Sequence, residues 1–318
     1  MQLPIHSTPL VPLIRGIKAT FMKITIIIVN WNTGKLLTQC LESLAVLPEK
    51  GLISEVTIVD NYSSDDSYIQ AKRIDIGVPT SFVRLPKNVG FAAANNIAIR
   101  QRRDKGSHVL LLNPDTQVKA GAIAAGLHEL EHTERAGVVG IKLINIDGTI
   151  QQSVRRLPTL PVFLFFFLKL HRLFPDSSLW HKYMQHAFEY EKKASVEQVM
   201  GAAFFINQKL LGQIGLLDEK FWIWFEEVDF CKRTLAAGWQ VMYTPAGSVM
   251  HYGGSSFNQL VGLQKTVPFL TSSLHYAHKH FPLPAYVCLL ILWPIAVLIS
   301  LPTSFIHARL RYINQDRL

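Results

Sequence analysis

A doubly wound α/β sheet is the fold class this sequence predicts, and two observations predict it. Three continuous apolar runs in the first 115 residues each end on polar or acidic side chains: Lys23–Val29 into Asn30-Trp31-Asn32, Val56–Val59 into Asp60-Asn61, and His108–Leu112 into Asn113-Pro114-Asp115. Strands of a parallel sheet, buried on both faces, read as unbroken apolar runs. Between them, apolar residues recur at helical spacing, and short-interval strand–helix alternation marks a sheet covered on both faces.

Taken in order, Ile24 to Val29 is a β-branched run suited to a central strand. Leu36, Leu37, Leu41, Leu44 and Leu47 form one face of a helix that reaches about Leu47. The second strand leads into the polar loop Asn61–Ser67, where Ser64 or Asp65 is the expected cap of the next helix. A shorter strand covers Ser81–Leu85, and a helix over Ala92–Arg100 precedes the strand that ends at Asp115. Lys142–Arg156 reads as a hairpin turning at Asp147-Gly148. The Phe-rich stretch Val162–Leu170, followed by Arg172, suits either a buried helix or an in-plane membrane contact. Gly201–Ile206 is apolar again, and Leu217–Arg233 holds the densest acidic and aromatic cluster.

The termini stand apart. Residues 1–22 carry prolines and a few basic side chains without a long apolar core, and read as an N-terminal extension without fixed structure rather than a secretory signal. From Phe281 to Ile306 there is no Asp, Glu, Lys or Arg, a length sufficient for one membrane crossing. Pro294 and Pro302 interrupt it, and Arg309, Arg311 and Arg317 follow. With the preceding domain in the cytoplasm, a single crossing would put those arginines outside, against the positive-inside tendency. A kinked hairpin or an interfacial helix with a basic tail is therefore expected over 281–318.

Across 318 residues the net charge is +9, hydrophobic residues are 49% and charged residues 17%, which excludes a disordered chain and favours anionic partners such as nucleotides or an acidic lipid surface. No Arg-rich stripe interleaved with aromatics occurs, so nucleic acid is not an expected partner. Cys40, Cys231 and Cys288 are scattered and odd in number, as suits reduced thiols in a cytoplasmic setting.

The chemistry-bearing groups lie at strand ends. Ligands of open α/β sheets bind outside the carboxyl ends of the strands, so Asn30, Asn32, Asp60 and Asp115 would share one crevice. Asp115 is placed to hold a divalent cation against a phosphorylated ligand. In Asn88-Val89-Gly90-Phe91-Ala92, Gly90 allows a tight backbone path and the following helix offers free amides to a diphosphate. There is no Gly-Lys-Ser/Thr phosphate loop and no dinucleotide fingerprint, which argues against a kinase, an ATPase and a dehydrogenase. Glu226, Glu227 and Asp229 place three carboxylates in four residues, and a like-charged neighbour raises a carboxyl's pKa into the range of a general base. Trp222 and Trp224 are suited to stacking on a sugar, and His251, expected in a flexible Gly-rich loop with Gly253-Gly254, is available as a second metal ligand.

Together, Val29-Asn30-Trp31-Asn32, Asp60-Asn61 with Ser64-Asp65, Asn88-Val89-Gly90-Phe91-Ala92, Asn113-Pro114-Asp115, Glu226-Glu227-Val228-Asp229 and His251 resemble glycosyltransferase family two, in that family's order, from about Lys23 to about Phe281. The sequence is most similar to the rhamnosyltransferase-like branch that builds bacterial surface polysaccharides. The resemblance implies a GT-A type mixed sheet over 23–280, with a nucleotide-sugar-binding half over 23–115 and an acceptor-binding half over 116–280. It also implies a nucleotide-diphosphate sugar donor (deoxythymidine-diphosphate rhamnose by branch), Mg or Mn as cofactor, inversion at the anomeric carbon, and a glycan or polyprenyl-linked acceptor presented at the cytoplasmic face of a bacterial membrane. Carried over residue by residue, Asn30, Asn32, Asp60, Asn88, Gly90, Asn95 and Asn113 would form the donor site, with Asp60 at the base. Asp115 and His251 would hold the metal, and Trp222 and Trp224 would line the acceptor site. Asn113-Pro114-Asp115 stands where the family has Asp-x-Asp, and Glu-Glu-Val-Asp stands where it has Glu-Asp-x-Asp. Glu227 is then the expected base, one methylene longer than the family's residue, with Glu226 and Asp229 as substitutes. The other classes weighed are a nucleotidyltransferase, disfavoured by the lack of a basic glycine loop near the first strand, and an inactive membrane scaffold of the same fold.

Overall fold

The computed structural model describes residues 22–254, 260 and 262–315, with side chains described up to 301. The N-terminal extension expected before Met22, Ser255-Ser256 and the side chains of the terminal arginines lie outside the described residues. Four parallel strands form the first half of the sheet: β1 (Ile24–Asn30), β2 (Ile53–Asp60), β3 (Thr80–Arg84) and β4 (His108–Leu112), in the spatial order β3-β2-β1-β4. Their side chains alternate between two cores. Ile24, Ile26 and Ile28 pack with helix α1 (Lys35–Ala45), whereas Ile27 and Val29 pack with α3 (Phe91–Gln101) on the other face. A strand with period-2 side chains and apolar residues at every position can only be satisfied by helices on both sides.

Beyond β4 the sheet becomes mixed. Strand β5 (Thr116–Val118) and helix α4 (Ala122–His132) lead to β6 (Ala136–Ile144) and the short β7 (Ile150–Gln151) and β8 (Val154–Arg155). β6 and β7 pair antiparallel, Leu143 opposite Gln151, forming the expected hairpin around Asp147-Gly148, with Gly148 at φ +84°. The Phe-rich stretch is helix α5 (Leu160–Phe167), which buries Val162, Phe163 and Phe167 and leaves Leu164, Phe165 and Phe166 half-buried.

Two short helices, α6 (Leu170–Leu173) and α7 (Ser178–Met184), and strands β9 (Ala194–Val196) and β10 (Gln198–Val199) precede β11 (Ala203–Ile206). β11 runs antiparallel between β4 and β6, so both halves share one sheet across Asp115. Helices α8 (Gln208–Ile214) and α9 (Glu226–Ala236) and the long strand β12 (Gln240–His251) complete the domain, β12 pairing parallel with β6 and antiparallel with β5.

The expected cap of the second helix, α2 (Ser67–Ala71), is corrected: Asp66 holds the cap position, while Asp65 accepts the N–H groups of Ser67 at 3.2 Å and Gly34 at 2.9 Å. At the C-terminus, α10 (Leu263–His280) is followed by one helix, α11 (Leu283–Gln315), rather than a hairpin. Its segment Leu283–Leu301, of mean hydropathy 2.3, is the one span among the described residues long and apolar enough to cross a membrane. Leu289 and Ala296 are fully buried against the aromatic core, while Leu283, Ile291 and Leu298 are exposed on the opposite side.

Candidate active site

A cleft of about 380 Å³ opens at the carboxyl ends of β1 and β4, within the range of small-ligand sites. Its wall is assembled from segments far apart in sequence: Asn88 and Gly90, Asn113 and Asp115, Trp222 and Trp224, Glu226 and Glu227, and His251. Of the residues expected in the site, these nine are brought together.

The others lie outside the cleft wall. Asn30 and Asp60 are fully buried beneath the cleft, where the Asn30 amide donates to Asp60 Oδ1 at 2.9 Å and Arg84 Nε pairs with Asp60 Oδ2 at 3.3 Å. Their neighbours Trp31 and Asn61 face the cleft instead. Asn32, at φ +50°, accepts the backbone N–H of Ser64 at 2.7 Å. Asn95 donates to the Phe91 carbonyl one turn back in its own helix and is not part of the cleft wall.

Asp229 is fully buried and bound by Arg233 (2.7 Å), Lys279 (2.8 Å) and His280 (2.7 Å), so it ties α9 to α10. Burial alone would raise its carboxyl, but hydrogen bonds from His280, Lys279 and Arg233 together with the Arg233 charge hold it below the usual range.

The donor-side rim is fixed by backbone geometry. Gly90 sits at φ +85°, and a Cβ there would lie 2.5 Å from the Trp222 carbonyl oxygen, so only glycine lets the two segments meet. That carbonyl accepts the Phe91 N–H at 2.8 Å, and the Asn61 amide donates to Asn88 Oδ1 at 3.0 Å.

Asp115 follows β4, and His251 is the last residue of β12, opposite Thr116 of β5 rather than in the glycine loop expected from sequence. That pairing brings His251 Nε2 to 3.4 Å from Asp115 Oδ1. A carboxylate and an imidazole nitrogen opening on one cleft supply two ligands for a divalent cation, a mixed oxygen–nitrogen set that suits Mn²⁺ better than Mg²⁺. Among the described residues no third His, Cys, Asp or Glu joins them, so the remaining ligands would come from a diphosphate and water.

Glu226 and Glu227 open helix α9, preceded by Trp224 at φ +60° and Phe225 at φ +71°. Two successive non-glycine residues in the left-handed region are strained by about 1–3 kcal/mol each and persist only where packing imposes them. Here the Phe225 ring is clamped by Phe163, Phe269 and Tyr276. The turn directs both carboxylates into the cleft, where one oxygen of each is buried without a hydrogen-bond partner among the described residues. Burial raises the pKa of both; the Glu227 charge raises Glu226 further, while backbone N–H groups and the Arg155 guanidinium temper the rise at Glu227. A carboxyl shifted upward and open to a ligand is suited to accept a proton. Arg155 and Gln151, both in the cleft wall, were not singled out from the sequence. They sit on two-residue strands that leave no periodic signal.

A mixed sheet with a crevice at its strand ends and paired acidic groups in the facing wall is the architecture of the GT-A fold. Solved structures agree on the fold. GalNAc-T7, crystallised with UDP, GalNAc and Mn²⁺, superposes with a TM-score of 0.54 at 15% identity, covering 73% of this chain and 44% of that one. The mannosyltransferase PcManGT from Pyrobaculum calidifontis, in complex with GDP-Man and Mn²⁺, gives 0.53 at 13% identity, covering 89% and 74%. The family model of Glycosyl transferase family 2 matches residues 25–196, more than half of the chain, and the protein belongs to that family. Its curated relatives include an N-acetylglucosaminyl-diphospho-decaprenol L-rhamnosyltransferase of Mycobacterium tuberculosis, 26% identical over 73% of this chain and 76% of the relative. A low-salt glycan biosynthesis hexosyltransferase of Haloferax volcanii is 25% identical over 57% of this chain and 53% of the relative.

Proposed function

We propose that this glycosyltransferase moves a deoxyhexose such as rhamnose from a nucleoside diphosphate to a hydroxyl of a polyprenyl-linked or glycan acceptor, with inversion at the anomeric carbon. The observation that carries the reading is the convergence of Asp115, His251, Glu226 and Glu227, from three distant segments, on one cleft. The sugar and acceptor rest on the rhamnosyltransferase relative, whose named substrate is a diphospho-decaprenol-linked sugar.

Asp115 and His251 would hold Mg²⁺ or Mn²⁺, whose contribution is to neutralise charge on the departing diphosphate. Glu227 accepts the proton of the acceptor hydroxyl as its oxygen attacks the anomeric carbon from the face opposite the leaving group. The bond from that carbon to the diphosphate oxygen breaks, and the nucleoside diphosphate departs with the electron pair. Gly90 and Asn88 shape the donor side, and Trp222, exposed on the rim, offers an indole face to the acceptor sugar. The exposed apolar stripe of α11 and the net charge of +9 suit attachment to the cytoplasmic face of an anionic bacterial membrane, where such an acceptor is presented.

Glu227→Gln tests the chemistry. Transfer should fall by about 10²–10⁴-fold while the nucleotide sugar binds as before. Turnover equal to that of the parent protein removes Glu227 from the role of base.

A further inference from the structure

We infer that Gln151 is a positioning residue that fixes the tautomer of His251 and so keeps the cation site beside Asp115 open; the inference rests on the metal reading of that site. The hairpin of β6 and β7 places Gln151 opposite Leu143, with its side-chain amide against His251. His251 Nδ1 lies 2.7 Å from Gln151 Oε1. The orientation of that amide is set by its other end. Gln151 Nε2 donates to Asn145 Oδ1 at 3.0 Å, and the carbonyl oxygen of His251 lies 3.5 Å from the same nitrogen. Both neighbours are acceptors, so the NH₂ end must face them and Oε1 must face the imidazole. Asn145 is oriented in turn by donating to Thr149 Oγ1 at 2.9 Å, and Thr149 Oγ1 donates to Asp147 Oδ1 at 2.6 Å. Every hydrogen bond in this relay is donated in one direction, from the imidazole toward the acceptor carboxylate of Asp147 in the turn. Nδ1 therefore carries the proton, and Nε2 presents its lone pair toward Asp115.

The alternative tautomer has its own attraction, which is why a fixing residue matters. With the proton on Nε2, His251 would donate to Asp115 Oδ1, 3.4 Å away, and the two ligands would satisfy each other. The oxygen of Gln151 opposes that closure by claiming the proton on the far side of the ring. Partners that orient a ligating imidazole from its second nitrogen typically govern metal affinity by about 10–100-fold.

The test compares the parent protein with Gln151→Leu, which removes the acceptor, and Gln151→Glu, which keeps one. Imidazole ¹⁵N NMR of the metal-free proteins should show the Nδ1–H form at His251 in the parent and in Gln151→Glu, and a shift toward Nε2–H in Gln151→Leu. Calorimetric titration with Mn²⁺ in the presence of dTDP or UDP should show affinity weakened about 10–100-fold in Gln151→Leu and largely kept in Gln151→Glu. Parent protein that binds no Mn²⁺ overturns the metal reading and this inference with it. Parent protein that binds Mn²⁺, with Gln151→Leu binding equally and keeping the Nδ1–H form, overturns the inference alone.

Discussion

Glu226 and Glu227 are adjacent carboxylates, each with one oxygen buried and without a hydrogen-bond partner among the described residues. Such an arrangement is costly unless a ligand uses it. With burial holding the Glu227 carboxyl above its ordinary range, the deprotonated base is lost as pH falls through that raised value, and transfer falls with it. Arg155 pulls the value down, so Arg155→Gln should move the acid limb of the kcat/KM profile to higher pH. An unmoved limb would detach Arg155 from Glu227. Neither Arg155 nor Gln151 was legible in the sequence, because a single residue on a two-residue strand carries neither period nor motif. The ion-paired setting of Asp229 did leave a signal in the sequence: Arg233 stands four residues on, the spacing of an i,i+4 ion pair on a helix.

Helix α9 divides its acidic residues by direction. Glu226 and Glu227 face the cleft, while Asp229 faces α10, held by Arg233 of its own helix and by Lys279 and His280 of α10. Breaking a buried ion pair from one side strands the other charges, so Asp229→Ala should lower unfolding free energy by roughly 3 kcal/mol at neutral pH. Because the folded-state pKa of Asp229 is depressed, its contribution is present above the ordinary carboxylate pKa and is lost as pH falls through the lowered one. Denaturant melts of Asp229→Ala and its parent should therefore converge at acid pH, and a constant gap would contradict this role. The parallel strands of the first half were readable because burial on both faces writes itself as a continuous apolar run. The pairing of β5 with β12 was not, since antiparallel partners so distant in sequence share no local pattern; that pairing, not a glycine loop, brings His251 to Asp115.

On the scale of the molecule, the catalytic domain and the C-terminal helix share the aromatic core. Phe163, Phe225 and Tyr276 belong to the same cluster as Leu289 and Ala296 of α11. One side of α11 is thus committed to the domain, and the other presents Leu283, Ile291 and Leu298, 71%, 66% and 61% exposed. A helix docked on one side and presenting an apolar stripe on the other suits contact with a bilayer surface. Flotation with phosphatidylglycerol vesicles should recover the protein, and the paired substitution Ile291→Glu with Leu298→Glu should reduce recovery sharply. Full recovery of that variant would place the membrane contact elsewhere. The apolar composition of this segment was plain in the sequence, whereas its one-sided packing was not, because apolar residues occur on both faces and only the tertiary partner distinguishes them.

The proposed reaction depends on Asp115 gripping a cation that meets the diphosphate, and equilibrium binding tests this most directly. The parent protein and Asp115→Asn should be titrated with dTDP-rhamnose, with and without Mn²⁺. The account predicts that Mn²⁺ strengthens binding to the parent and that Asp115→Asn loses this enhancement by about tenfold or more. Binding that is indifferent to Mn²⁺ in the parent, or equal enhancement in both proteins, would contradict it.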